Sequence, residues 1–305
     1  MTNLEFDRNF EAVPGVVEQV SPLVRRVLCN NPSPFTFTGT STFIIGQGHV
    51  AIIDPGPKDD SHLAAVLQAI RGETVDYILV THSHADHSPL AARLKAATGA
   101  VTAGHGAVGA TGGTGLRLDA SIDHEFNPDR PMQHGETLSG TGWTIDGVFT
   151  PGHMSNHLCF ALREEATLFT GDHVMAWATS VIAPPDGNMG QYMASLRLLL
   201  ERGDGIYLPA HGPGRRDPKP LVRGYLAHRK MREGAILNRI QSGDRTIAEV
   251  VNAIYTDVDP RLRGAAALST LAHVEHLIEQ GLVRQRERTY EVVRKPDSPH
   301  ALPHP

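Results

Sequence analysis

Cysteine is nearly absent. Cys29 and Cys159 are the only two in 305 residues, which excludes a disulfide framework. Cys159 lies in the apolar stretch His157-Leu158-Cys159-Phe160-Ala161-Leu162 and suits a small buried thiol better than a ligand. Long hydrophobic runs are missing too. No stretch reaches 18 apolar residues, so no membrane span is expected. Residues Met1 to Asp7 show neither the basic nor the apolar region of a signal peptide, and a reduced, cytoplasmic setting is the expectation. No single charge sign dominates: 28 basic and 33 acidic residues leave a net charge of −5, without a polyanion-binding signal over the whole chain. The distribution is uneven, with −8 over residues 1–222 and +4 over residues 223–295. An acidic body with a basic appendage points to two domains.

What the chain does have is histidine. Three histidines and one carboxylate fall within six residues in His82-Ser83-His84-Ala85-Asp86-His87, directly after the apolar run Tyr77-Ile78-Leu79-Val80. Imidazole and carboxylate suit zinc, iron and manganese. A loop leaving a buried strand can aim them at one point.

Other segments repeat the device. Short strands alternate with turns over residues 13–53, including Phe35-Thr36-Phe37, and Val50-Ala51-Ile52-Ile53 runs into Asp54. An amphipathic helix is expected over Ser61–Arg71 with Ser61 as its N-cap. A second is expected over Leu90–Thr98, ended by Gly99. This alternation argues an α/β arrangement. The glycine-rich stretch from Gly104 through Gly115 lacks the Gly-Lys-Ser/Thr of a phosphate-binding loop and reads as a mobile loop, with His105 a loop histidine. Later strands end in Thr150-Pro151-Gly152-His153, in Gly171-Asp172-His173 and in His211-Gly212-Pro213-Gly214. One histidine at a strand end is ordinary as structure. Four strand ends delivering ligand-type residues point to one shared site.

The order His82-x-His84-x-Asp86-His87, then His153, Asp172 and His211, with Asp54 upstream, resembles the metallo-β-lactamase superfamily over residues 13–215. The resemblance implies an αββα sandwich, with the metal site at one edge of two face-to-face sheets. It also implies that His82, His84 and His153 hold one metal ion, that Asp86, His87 and His211 hold a second, and that Asp172 bridges them. Two divalent ions are thus implied, zinc first, manganese or iron also compatible. Asp54 would brace the motif loop, and Asp86 would be the catalytic residue that orients the attacking water or takes its proton. β-Lactamases of this superfamily place cysteine or serine where this chain has Asp172. The aspartate resembles thioesterases of the glyoxalase II type, lactonases and nucleases instead.

Residues 221–295 read as helix, helix, helix and a strand pair, a winged-helix-like domain after a catalytic domain of residues 1–220. The Thr246/Glu249 spacing marks a capping box. Residues 296–305 read as a proline-rich disordered tail. Body, His228-Arg229 helix and tail together resemble the β-lactamase-like protein 2 branch, whose characterised animal member is an endoribonuclease on single-stranded RNA. The expected function is therefore a dinuclear-metal-dependent hydrolase of an ester-type or phosphodiester substrate, single-stranded RNA included. The alternatives are a glyoxalase II-like thioester hydrolase or lactonase and, outside enzymes, a metal-stabilised nucleic-acid-binding regulator. Trp177 is a candidate substrate contact, and His173, Asn156 and His157 are candidates either for bracing the site's ligands or for contacting substrate.

Overall fold

The computed structural model describes residues 4–108 and 122–293. The glycine-rich stretch Gly112-Gly113-Thr114-Gly115 and the 296–305 tail lie outside the described residues.

The first sheet holds, in spatial order, β1 (Val17–Ser21), β2 (Val24–Leu28), β3 (Ser41–Gln47), β4 (His49–Ile53), β5 (Thr74–Leu79), β6 (Val101–Gly104) and β7 (Arg130–Pro131). Pairing is antiparallel through β4 and parallel from there on. Parallel neighbours need crossovers. Helices α1 (Asp60–Ala69) and α2 (Ala91–Thr98) provide them. The second sheet runs β8 (Thr137–Gly140), β9 (Trp143–Phe149), β10 (Leu158–Leu162), β11 (Thr167–Gly171), β12 (Ile206–Pro209) and β13 (Arg215–Arg216), again in neighbour order.

Strands covered on both faces read as unbroken apolar runs, and their two-residue period sorts the side chains. Phe43, Ile45 and Ile53 point between the sheets and meet Trp143, Phe160 and Phe169. Ile44 and Ile52 point the other way, against Leu63, Val66 and Leu94 of the outer helices. On the second sheet Leu158 and Phe160 enter the inter-sheet core. Cys159 and Ala161 face α3 (Met189–Glu201) and the start of α4 (Lys219–Gln241). The result is the four-layer αββα sandwich. Burial raises the Cys159 thiol to about 12, so this cysteine is inert.

Helix α4 is shared. Its Leu221, Val222 and Tyr225 complete the core under the second sheet. Its Ile236 and Ile240 pack instead with Val250 of α5 (Ile247–Ile254), Val274 and Leu277 of α6 (Arg263–Glu279), and Val283 of β14 (Val283–Arg286). β14 pairs with β15 (Thr289–Val292) to form the wing. Thr246 and Glu249 form a capping box at the start of α5.

Two local expectations are corrected. Asp59, not Ser61, caps α1 and accepts from the His62 amide, because its carboxylate outcompetes a hydroxyl that itself hydrogen-bonds to Asp59. Phe35–Phe37 is a tight turn rather than a strand. The Ser33 hydroxyl accepts from the Phe35 and Thr36 amides, and Phe37 takes φ 57°. That turn sets Phe37 against Trp177, with ring centroids 4.9 Å apart.

Candidate metal centre

Every candidate ligand sits on a loop that leaves a strand at the same edge of the sandwich. The loop after β5 carries His82, His84, Asp86 and His87, and the loop after β9 carries His153. β11 delivers Asp172, and β12 delivers His211. Close backbone approach makes this possible at two glycines. At Gly171, with φ 48°, a Cβ would lie 2.8 Å from both His157 Nε2 and Thr81 Oγ1. At Gly152, with φ 137°, it would lie 2.3 Å from the Tyr192 amide nitrogen, so only glycine lets the His153 loop rest on α3.

Two groups of side chains result, His82, His84, His153 and Asp172 in one and Asp86, His87 and His211 in the other, each with its donor atoms within 4.8 Å of one another. In the first, His84 Nδ1 lies 2.9 Å from His82 Nε2 and 3.1 Å from His153 Nε2. In the second, Asp86 Oδ2 lies 3.2 Å from His211 Nε2 and 3.5 Å from His87 Nε2. Asp172 faces both. Its Oδ2 is 3.6 Å from His153 Nε2, while its Oδ1 is 3.2 Å from His211 Nε2 and 3.7 Å from His87 Nε2.

The outer nitrogens fix the tautomers. Thr81 donates its hydroxyl to Asp54 Oδ2, so it accepts from His82 Nδ1 at 3.0 Å. His87 Nδ1 donates to Asp54 Oδ2 at 2.9 Å, His153 Nδ1 to the Val181 carbonyl at 2.6 Å, and His211 Nδ1 to the Gly39 carbonyl at 3.1 Å. All four rings therefore turn Nε2 inward as a potential lone-pair donor. Asp54 also accepts the Thr81 amide at 2.8 Å, tying the motif loop to the end of β4.

The electrostatics separate the two groups. Burial, reinforced by neighbouring histidines, holds His82 well below its ordinary range and His84 down at about 3. Burial also lowers His153. For His87 and His211 burial acts in the same direction but is outweighed by carboxylates. Asp86, Asp54 and Asp172 hold His87 well above its ordinary value, and Asp172 with Asp86 carries His211 up to about 10. Burial opposes ionisation of Asp86 and Asp172, yet His87 and His211 keep both carboxyls well below the usual range.

The donor set fits a pair of cations. His87 Nε2 and Asp172 Oδ1 are buried with no hydrogen-bond partner, a costly state for polar atoms that a ligated ion removes. The donors are nitrogen and carboxylate oxygen, acceptable to zinc, manganese or iron.

Of the expected substrate contacts, only Trp177 borders the cleft over this centre. Asn156 and His173 lie outside its lining. Asn156 is buried and donates to Ser83 Oγ at 3.1 Å and to the Gly106 carbonyl at 2.8 Å, so it braces the motif loop. His173 is fully buried between His157 and Tyr192. His105 stacks on Phe149, with ring centroids 4.2 Å apart, and belongs to neither donor group. Sequence reasoning missed the cleft's far wall, to which α4 contributes His228, Arg229 and Arg232 and the segment after α5 contributes Tyr255 and Val258. The available signal was a basic i, i+1, i+4 set on one helix.

Comparison with known proteins agrees with this geometry. Residues 35–211 match the metallo-beta-lactamase superfamily, and residues 246–291 match the beta-lactamase associated winged helix domain. The chain is 30% identical over 287 residues to the lactamase-like protein vrtG of Penicillium aethiopicum, covering 88% of this chain and 84% of that protein. It is also 30% identical to the atrochrysone carboxyl ACP thioesterase of Aspergillus terreus, over 78% of this chain and 73% of the relative. A beta-lactamase domain protein from Burkholderia ambifaria superposes with TM-score 0.79 at 19% identity, covering 94% and 97% of the two chains. A metallo-beta-lactamase family protein from Thermus thermophilus gives 0.73 at 22%, covering 90% and 100%. The chain belongs to the metallo-beta-lactamase superfamily, as a hydrolase carrying the associated winged-helix domain.

Proposed function

We propose that the protein hydrolyses an acyl thioester at a two-metal centre. His82, His84 and His153 would hold one ion, Asp86, His87 and His211 the other, with Asp172 shared between them. Bound there, such ions supply Lewis acidity toward a carbonyl oxygen and lower the pKa of water. The identity of the metal follows from availability as much as from the donors.

The chain's own residues do the rest. Asp86 is the proposed proton acceptor. Its Oδ2 faces His87 and His211, which leaves Oδ1 to orient the attacking water and take its proton. A thiol leaves readily as its anion, since its pKa of about 8.5 lies near neutrality, so no strong general acid is required. The observation that carries the reading is the cleft over the centre, about 840 Å³. Phe35, Met154, Met175, Trp177, Val181 and Leu262 line it, an apolar wall suited to an acyl group. The thioesterase named above supports the same chemistry. In the wing, Arg284 and Arg286 share the Glu291 carboxylate, which lowers the positive charge an RNA backbone would meet there.

Acyl thioesters and single-stranded RNA, assayed side by side with metal-loaded protein and with Asp86→Ala, test this. Thioester cleavage lost in the variant is the expected result. RNA cleavage without thioester cleavage, or full activity in the variant, overturns it.

A further inference from the structure

On the C-terminal side of the same cleft lies a group of basic side chains without counter-charges. Helix α4 places His228, Arg229 and Arg232 on its cleft-facing side, and Arg8 reaches the rim. Among the described residues, no carboxylate stands within ion-pair distance of Arg8, Arg229 or Arg232. Arg229 is only 3% exposed. It donates to the Ser180 carbonyl and lies 5.2 Å from the Tyr192 ring centroid, while its Nε has no partner. Arg232 lies 4.4 Å over the Tyr255 ring, and its Nε is likewise buried and unpartnered. The His228 Nδ1 is a third such atom. Burial, aided by Arg229 and Arg232, pushes this ring down to about 4, so His228 is a neutral hydrogen-bonding group and the arginines carry the charge.

The acidic groups in the cleft are committed elsewhere. Asp86 and Asp172 face the ligand histidines. Asp186 accepts from the Ser155 amide at 2.7 Å and from its hydroxyl at 2.6 Å. Glu233, on the same helix, faces His273 at 3.7 Å and His276 at 3.9 Å. A buried guanidinium is expensive unless paired, and guanidinium forks match the geometry of carboxylate and phosphate.

We propose that His228, Arg229 and Arg232 form an anion subsite, so that the substrate carries an oxyanion some way from its scissile carbonyl. Two sources share that chemistry, a carboxylate on the acyl chain and a phosphate on the thiol-bearing arm. The subsite orients the substrate across the cleft, its anion against α4 and its acyl carbonyl toward Asp86. This rests on the reading of the cleft as a thioester site.

The experiment compares metal-loaded wild type with Arg232→Met, which keeps an apolar stem beside Tyr255, and with Arg232→Lys. One arm uses N-acetylcysteamine thioesters of glutarate and of its monomethyl ester. The other uses butyryl thioesters of phosphopantetheine and of pantetheine. Wild type is expected to prefer the anionic member of at least one pair, and Arg232→Met to cut that preference about 10- to 100-fold, chiefly through KM. Arg232→Lys should restore part of it. The pair that responds identifies the source. Calorimetric titration of glutarate and of phosphopantetheine into the same proteins reads the subsite even if no thioester is cleaved, so failure of the thioesterase reading and failure of the subsite give different results. Equal handling of both members of both pairs by wild type, or an anion preference and anion binding unchanged in Arg232→Met, overturns the proposal.

Discussion

Asp54 is the most informative residue to change, because it touches no substrate and lies outside both donor groups. Its carboxylate accepts from the Thr81 amide, the Thr81 hydroxyl and His87 Nδ1, at 2.8, 2.8 and 2.9 Å. It is 2% exposed, so water cannot replace it without rearrangement. Asp54→Ala leaves three buried donors unpaired. At roughly 1–2 kcal/mol each, the cost is about 3–6 kcal/mol, a large share of the ~5–15 kcal/mol that holds a typical protein folded. Asp54→Asn is the sharper probe. An amide offers one acceptor oxygen, so its NH₂ must face either the Thr81 amide or the Thr81 hydroxyl and His87 together. If it faces His87, the ring turns its lone pair to Nδ1 and places its proton on Nε2, pointed into the Asp86–His87–His211 group. Metal affinity at that group should fall about 10- to 100-fold, while the His82–His84–His153 group is less affected. Chelator competition with stepwise metal readout, alongside urea unfolding, measures both effects. Asp54→Asn with wild-type affinity for both ions and wild-type stability would refute the tautomer argument.

Other changes test other parts of the frame. Gly171→Ala would set a methyl group 2.8 Å from His157 Nε2 and Thr81 Oγ1 at φ 48°, and should cost about 2–4 kcal/mol in thermal unfolding; a loss below about 1 kcal/mol would contradict the close approach. Tyr225→Phe removes a hydroxyl that accepts from the Met175 amide and shares its one proton between the Met175 and Ala178 carbonyls. The expected cost is about 1–3 kcal/mol, with faster proteolysis of the segment after Asp172. His62 is lowered to about 4 by burial, so the folded state resists its protonation. The stability it contributes is complete above the unfolded pKa near 6.5 and drains as pH falls from 6.5 toward 4, about 2 kcal/mol by pH 5. In urea titrations, wild type should lose that much more than His62→Gln between pH 7.5 and 5. Equal losses would contradict this.

Much of the donor set was legible because it is local. His82, His84, Asp86 and His87 share one loop, and His153, Asp172 and His211 each follow an apolar run, so strand ends alone brought them under suspicion. The layer order came with the family resemblance. What stayed hidden depends on packing at long range. Asn156 and His173 look like their ligand neighbours in sequence, but one faces the Gly106 carbonyl and the other Tyr192. No periodicity shows that α4 spans two cores, or that its Arg229 and Arg232 turn into the cleft rather than toward solvent. Asp59 displaced Ser61 as the cap of α1 because two adjacent cap formers compete and only geometry decides.

The proposed centre holds one ion in each of two donor groups, with Asp172 between them. Metal analysis of protein purified without chelator, counted against polypeptide, tests it most directly. Close to two ions per chain, falling toward one in His211→Ala, is the predicted result. Zero or one ion in the wild-type chain, after loading with zinc, manganese or iron, would contradict it.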